Sequence, residues 1–125
     1  MQRKIVLIAH TVTHFTVDLA CFFFFAQVFA PQSVSAAEGT AGFLLFSLLS
    51  FGLRPLLGVL LDEHPHLHPQ AVGCLAVGIG LLLPGSVAWF SLILLGVGSA
   101  FFHVCAAGES VIFARGFFFR NGIVL

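Results

Sequence analysis

Long apolar stretches separated by short polar breaks dominate the sequence. Apolar residues run from Ile5 to Ala30, from Ala41 to Leu61 and from Ala71 to Gly108. A helix needs about 20 such residues to cross a hydrocarbon core of roughly 30 Å. Each of the first two stretches therefore predicts one membrane-spanning helix.

The third stretch is too long for a single span. As one helix it would extend roughly 57 Å, nearly twice the hydrocarbon thickness. Pro84-Gly85-Ser86 provides a strong turn signal within it, so we expect the chain to fold back there. The sequence thus predicts an all-α fold, a polytopic transmembrane helical bundle, with spans at about 5–30, 41–61, 70–84 and 87–107.

The segment after the fourth span, 109–125, predicts a loop and the start of a fifth span. It contains Arg115 and Arg120 and becomes apolar again at Ile123-Val124-Leu125. Soluble proteins usually end in polar or frayed segments. We therefore expect residues 1–125 to be the N-terminal part of a longer transmembrane domain.

Composition supports a membrane protein and excludes nucleic acid as a partner. Hydrophobic residues make up 59% of the chain and charged residues 8%, whereas soluble domains are about 25% charged. Five basic residues balance five acidic ones, and no basic patch is present that could follow a phosphate backbone. The three cysteines lie in apolar stretches without metal or redox spacing, so we interpret them as packing residues.

The basic residues predict the orientation in the membrane. With four spans, Arg3, Lys4, Arg115 and Arg120 lie on one side, and the two loops of the other side contain no Lys or Arg. The positive-inside rule then places the N-terminus in the cytoplasm of a multi-pass protein of the cell membrane.

The first span contains the most informative polar residues. His10, His14 and Asp18 are four residues apart and share one helix face. A charged group at the centre of a lipid-facing helix costs roughly 2.5 to 3.5 kcal/mol, so it usually faces protein or a water-filled cavity. Two interpretations remain open: a proton relay or contact with a cationic solute, and structural pairing of Asp18 with a hydroxyl or with Arg54.

The sequence predicts no metal site, no cofactor and no enzyme. His10 and His14 form a single pair, to which the spans add only His103, whereas di-metal membrane sites need several pairs facing carboxylates. No Ser-centred elbow, phosphate loop or HExxH sequence occurs. Three histidines alternate in the second loop, namely His64, His66 and His68. Their spacing could bind Zn, Cu or Ni, but Pro65 and Pro69 keep the loop extended, so we expect a solvated cytoplasmic segment.

Small residues and a proline predict how the spans pack. Gly96 with Ala100, and Ala76 with Gly80, have the four-residue spacing that lets membrane helices approach closely. Pro55 has no N–H to offer the Phe51 carbonyl, so we expect a kink in the second span.

Three motifs resemble the major facilitator superfamily. Leu53-Arg54-Pro55-Leu-Leu-Gly58-Val-Leu-Leu-Asp62 resembles the start of its loop signature, in which Gly-x-x-x-Asp precedes a turn. Gly96-Val-Gly98-Ser-Ala100-Phe-Phe-His103 is similar to a Gly-x-Gly-x-Ala-x-Phe-His segment of fosmidomycin-resistance-type efflux carriers. His14-Phe-x-x-Asp18 in the first span resembles the same carriers.

The resemblance implies a carrier of twelve spans in two halves, whose first and fourth helices line a central cavity with alternating access. This chain would be a fragment of the first half. The implied partners are the lipid bilayer, a small-molecule solute, protons and the missing remainder of the carrier. The implied pathway residues are His10, His14, Asp18 and His103, and the implied gating or structural residues are Arg54, Gly58, Asp62, Gly96 and Gly98.

The predicted function is secondary active transport of a small organic solute across a bacterial cytoplasmic membrane, with proton-coupled efflux as one form of it. By residue count, His10 and His103 lie at the same depth, roughly 7 to 9 Å from the cytoplasmic surface. Two alternatives remain: a complete four-span multidrug-type pump acting as a dimer, and a non-transporting membrane assembly protein.

Overall fold

A computed structural model describes residues 2–64 and 68–114, and every regular element within them is helical. The predicted all-α class is therefore confirmed for the described residues. The elements in chain order are α1 (Gln2–Phe24), a π-helical segment (Phe25–Phe29), α2 (Ala30–Gln32), α3 (Ala36–Gly52), α4 (Arg54–Glu63), α5 (Pro69–Leu82), a 3-10 turn (Gly85–Val87) and α6 (Ala88–Ala114).

Three helical units are long and apolar enough to cross a membrane: Ile8–Gln32, Ala36–Glu63 and Gly85–Gly108. α5 is also apolar, but its length corresponds to only about 21 Å of helix rise, so the count of four spans stays a prediction. α6 continues beyond the predicted end of the last span to Ala114. The predicted start of a fifth span, within 115–125, lies outside the described residues.

Prolines and one side-chain cap explain the irregular points. Pro31 cannot donate to the carbonyl one turn earlier, and the helix widens to π geometry just before it. Ser35 caps α3 by accepting from the Glu38 amide at 3.2 Å, and the Glu38 carboxylate accepts from the Val34 amide at 2.7 Å. Close to Pro55, where a kink is expected, the helix is interrupted at Leu53, between α3 and α4.

α6 is the central helix of the bundle and packs on α5, α3 and α1. Glycines allow the closest of these approaches. A Cβ on Gly98 would lie 2.8 Å from the Gly73 carbonyl oxygen, and one on Gly73 would lie 2.6 Å from the Gly98 carbonyl oxygen. The predicted packing role of small residues is confirmed, since a Cβ on Gly96 would meet Leu49 of α3 and one on Gly80 would meet Leu95 of α6.

The outer face of α1 is apolar and exposed. Ile8, Val12, Phe15, Leu19 and Phe23 follow one another at three- or four-residue spacing, and each is at least 53% exposed. Such a stripe cannot be left in water over this length without cost, whereas lipid accepts it. His10 and His14 of α1 lie on the opposite side, against α5 and α6 respectively.

Candidate functional site

Three side chains from two helices converge between α1 and α6. His14 Nε2 lies 3.0 Å from Asp18 Oδ2, His103 Nε2 lies 3.3 Å from Asp18 Oδ1, and the two imidazole Nε2 atoms are 3.2 Å apart. The rings of His14 and His103 meet edge to face at 4.5 Å between centroids. We refer to His14, Asp18 and His103 as the His–Asp–His cluster.

The orientation of His103 is fixed by its own helix. Its Nδ1 lies 2.7 Å from the Ser99 carbonyl oxygen, which can only accept a hydrogen bond. The short contact favours the tautomer with the proton on Nδ1, although the Ser99 hydroxyl, which can donate or accept, also lies 3.2 Å from this atom. In this tautomer the neutral ring directs the Nε2 lone pair into the cluster. The Ser99 hydroxyl in turn lies 2.8 Å from the Ser50 hydroxyl, a buried contact that joins α6 to α3.

Neutral imidazoles cannot satisfy every contact of the cluster. His103 Nε2 has no hydrogen in the neutral ring, and an ionised carboxylate has none either. The 3.3 Å contact between His103 and Asp18 therefore lacks a donor until a proton or another cation enters. The arrangement favours an added positive charge.

The cluster opens on a cavity of about 360 Å³ between α1, α3, α4 and α6. Phenylalanine rings form most of its apolar wall, namely Phe22, Phe25, Phe43, Phe46 and Phe51. Asp18 is 51% exposed, whereas the side chains of His14 and His103 are 13% and 6% exposed. The carboxylate is thus the part of the cluster that a ligand in the cavity meets.

Arg54 lines the same cavity but does not pair with Asp18. Its Nε donates to the Ser50 carbonyl oxygen at 2.9 Å, and its guanidinium lies 4.4 Å from the centroid of the Phe51 ring. Within 2–64 and 68–114, both ion pairs of Asp18 are with histidines. The hypothesis of an Asp18–Arg54 pair is therefore wrong. Carbonyls in the last turn of a helix lack intrahelical donors, and the break after α3 gives Arg54 such an acceptor.

His10 lies outside the cluster. It is 6% exposed, and its Nδ1 is 3.2 Å from Nε2 of Gln70 in α5. His103 meets His14, one helical turn further along α1, and the expected matching of His10 with His103 in depth is wrong. Counting residues from the chain ends could not predict which histidine of α1 lies beside His103, because this depends on how α1 packs on both α5 and α6.

The remaining motif residues serve packing or lie at the surface. Gly96 faces α3, and Gly98 faces α5. A Cβ on Gly58 would meet nothing within 4 Å, and Asp62 is exposed near the end of α4. None of these four lines the cavity.

Sequence reasoning missed two contributors to the site. Ser50 and Ser99 are nearly fully buried and connect α3 to the ring of His103. Their signal was a hydroxyl inside an apolar span, since buried hydroxyls in membrane helices usually hydrogen-bond across helices.

The cluster could also hold a metal ion, which the sequence did not predict. One ligand atom from each of its three residues lies within 4.8 Å of the others. Sequence spacing alone does not group these three residues, because His103 lies far along the chain from His14 and Asp18. Spacing rules detect ligands on one element, and here α6 supplies the third.

No protein-family model, curated protein or solved structure matches this chain. The resemblance to the facilitators thus consists of three short motifs.

Proposed function

We propose that this chain is part of a facilitator-type secondary transporter, in which the cavity binds a small organic cation and the His–Asp–His cluster exchanges it for a proton. The observation that carries the proposal is the opening of the Asp18 carboxylate into a phenylalanine-lined cavity with two imidazoles behind it. An aromatic wall with a single acid favours an apolar body that has a positive charge, because ring faces and carboxylates both attract cations.

Proton coupling follows because a proton and a cationic solute compete to supply the same positive charge beside Asp18. When the cavity is empty, a proton shared among the cluster supplies the missing donor between His103 and Asp18. A cationic solute that reaches Asp18 supplies the positive charge instead, so the proton leaves. Alternating access of the cavity to the two sides would convert this exchange into transport. We place the chain in a bacterial cytoplasmic membrane, with its N-terminus in the cytoplasm.

Ethidium, a planar aromatic cation, is a suitable probe. We expect the purified chain in detergent to bind ethidium by fluorescence anisotropy and to release protons into a weakly buffered solution as it binds. Asp18→Asn removes the carboxylate charge while retaining the shape of the side chain, and should weaken binding by roughly tenfold or more. Asp62→Asn is the matched control, since this exposed acid lies outside the cavity.

The same measurements separate the alternatives. Ethidium movement driven by a pH gradient in vesicles containing only this chain would favour the small four-span pump. Binding without movement would favour part of a larger carrier. Equal ethidium binding by Asp18→Asn and the unmodified chain, or no binding by either, would contradict the proposal and favour a membrane assembly protein.

A further inference from the structure

We infer that His14, Asp18 and His103 form a binding site for a divalent transition-metal ion of the Zn²⁺ class. Two imidazoles and one carboxylate are a donor set that proteins use for such ions. The inference needs no transport and no organic solute, because it depends only on the distances within the cluster and on the orientation of its rings.

The spacing of the donor atoms matches that around a tetrahedral ion. Bonds of about 2.0–2.1 Å place neighbouring ligand atoms roughly 3.3 Å apart. The two Nε2 atoms are 3.2 Å apart, and each lies 3.0 or 3.3 Å from a different oxygen of Asp18. Whichever oxygen is the ligand, two of the three donor pairs therefore have this spacing, and the third lies within 4.8 Å. The two histidines approach different oxygens of Asp18, and the carboxylate can therefore bind with one oxygen or with both.

The surroundings of His103 prepare it as a ligand. A metal-binding imidazole usually donates its other ring N–H to a carbonyl or carboxylate, which fixes the tautomer and the ring plane. The Ser99 carbonyl already has this role at 2.7 Å from Nδ1. His103 is 6% exposed, so its lone pair is not directed into bulk solvent.

The cavity side of the cluster supplies the remaining coordination position. Asp18 faces the cavity, from which water or a solute atom could reach the ion. Arg54 is the basic group facing this cavity, and its guanidinium is occupied by Ser50 and Phe51. Three protein ligands with one open position are the pattern of exchangeable Zn²⁺ sites rather than closed structural ones.

The test is titration of the purified full chain in detergent with Co²⁺, a spectroscopic substitute for Zn²⁺. The background variant has the loop histidines changed to alanine (His64→Ala, His66→Ala and His68→Ala), so that the loop cannot bind the ion. We expect one Co²⁺ per chain with the intense visible absorption of a tetrahedral centre, abolished by added Zn²⁺. Binding should weaken as the pH falls, since protons compete for the ligands.

Variants in this background assign the ligands. His14→Ala, His103→Ala and Asp18→Asn should each weaken Co²⁺ binding by at least about 10- to 100-fold. His10→Gln is the control, because it changes an imidazole one turn from the cluster, and it should retain the affinity and the spectrum. Circular dichroism and elution volume establish that each variant is folded. If a histidine variant does not fold, the Co²⁺ affinity of the isosteric Asp18→Asn variant decides the test.

Three results would overturn the inference: no tetrahedral Co²⁺ spectrum, a spectrum that persists in Asp18→Asn, or one that is lost in His10→Gln with the fold intact. The proposed transport function fails separately, through ethidium binding. A chain that binds ethidium through Asp18 but gives no tetrahedral Co²⁺ spectrum would retain the transport proposal and refute the metal site.

Discussion

Asp18 lies between two imidazoles, and this decides how its charge is balanced. A guanidinium partner would hold a permanent positive charge and leave the carboxylate permanently neutralised. An imidazole is positively charged only when it is protonated, so neither histidine holds a permanent charge beside the carboxylate. Under the proposed function, this lets the cluster take up a cation and release it again, which a fixed ion pair could not do.

A charge exchange between Asp18 and Arg54 should fail to restore function. The Asp18→Arg variant should lose ethidium binding, because a second positive charge would repel the probe. Adding Arg54→Asp should not bring it back, since Arg54 contacts Ser50 and Phe51 and not Asp18. Fluorescence anisotropy of both variants measures this. Recovery of the affinity to within about threefold of the unmodified chain would mean that an acid at position 54 can replace Asp18, and would contradict the requirement for a carboxylate beside the two histidines.

The helices themselves were largely predictable, and their register was not. Apolar length predicted the helices, three of which are long enough to cross a membrane. Pro84-Gly85-Ser86 predicted the turn before α6, and Pro55 predicted the interruption between α3 and α4. The four-residue spacing placed His14 and Asp18 on one face. Which histidine meets His103 depends on how far α1 slides along α6, and no local signal contains that information.

Glycine contacts determine how closely α5 and α6 pack. We expect Gly98→Ala to destabilise the chain by about 1–3 kcal/mol, because the new methyl would overlap the Gly73 carbonyl and backbone atoms cannot rotate away. Gly78→Ala is the matched control on α5, since its methyl meets nothing within 4 Å. It should be neutral or stabilising by up to about 1 kcal/mol.

Unfolding of the two glycine variants in a denaturing detergent, followed by circular dichroism, measures the difference. Gly98→Ala should also weaken Co²⁺ binding, because α6 would carry His103 away from α1. Equal stability of the Gly98→Ala and Gly78→Ala variants would show that the close approach of α5 and α6 is not required.

In the molecule as a whole, the cavity and the apolar outer faces are two kinds of exposed surface. Phe23 of α1 is 61% exposed on the outside, and Leu44 of α3 is 60% exposed. Their neighbours Phe25 and Phe43 line the cavity. In a membrane the first kind of surface meets acyl chains, and the second meets water if the cavity is hydrated.

The rates of cysteine labelling should therefore not follow the exposed fractions of the side chains. In a background with Cys21, Cys74 and Cys105 changed to alanine, a membrane-impermeant thiol reagent should modify Phe25→Cys faster than Phe23→Cys, although Phe23 is the more exposed side chain. The physical reason is that the thiolate reacts in water and hardly forms in hydrocarbon.

Mild detergent and denaturant are the two controls. Mild detergent still covers the outer face, so Phe25→Cys should remain the faster of the two to react. Unfolding in denaturant should remove the difference in rate. Faster modification of Phe23→Cys in intact membranes would mean that the outer stripe faces water, and the His–Asp–His cluster would then not lie in a bilayer cavity.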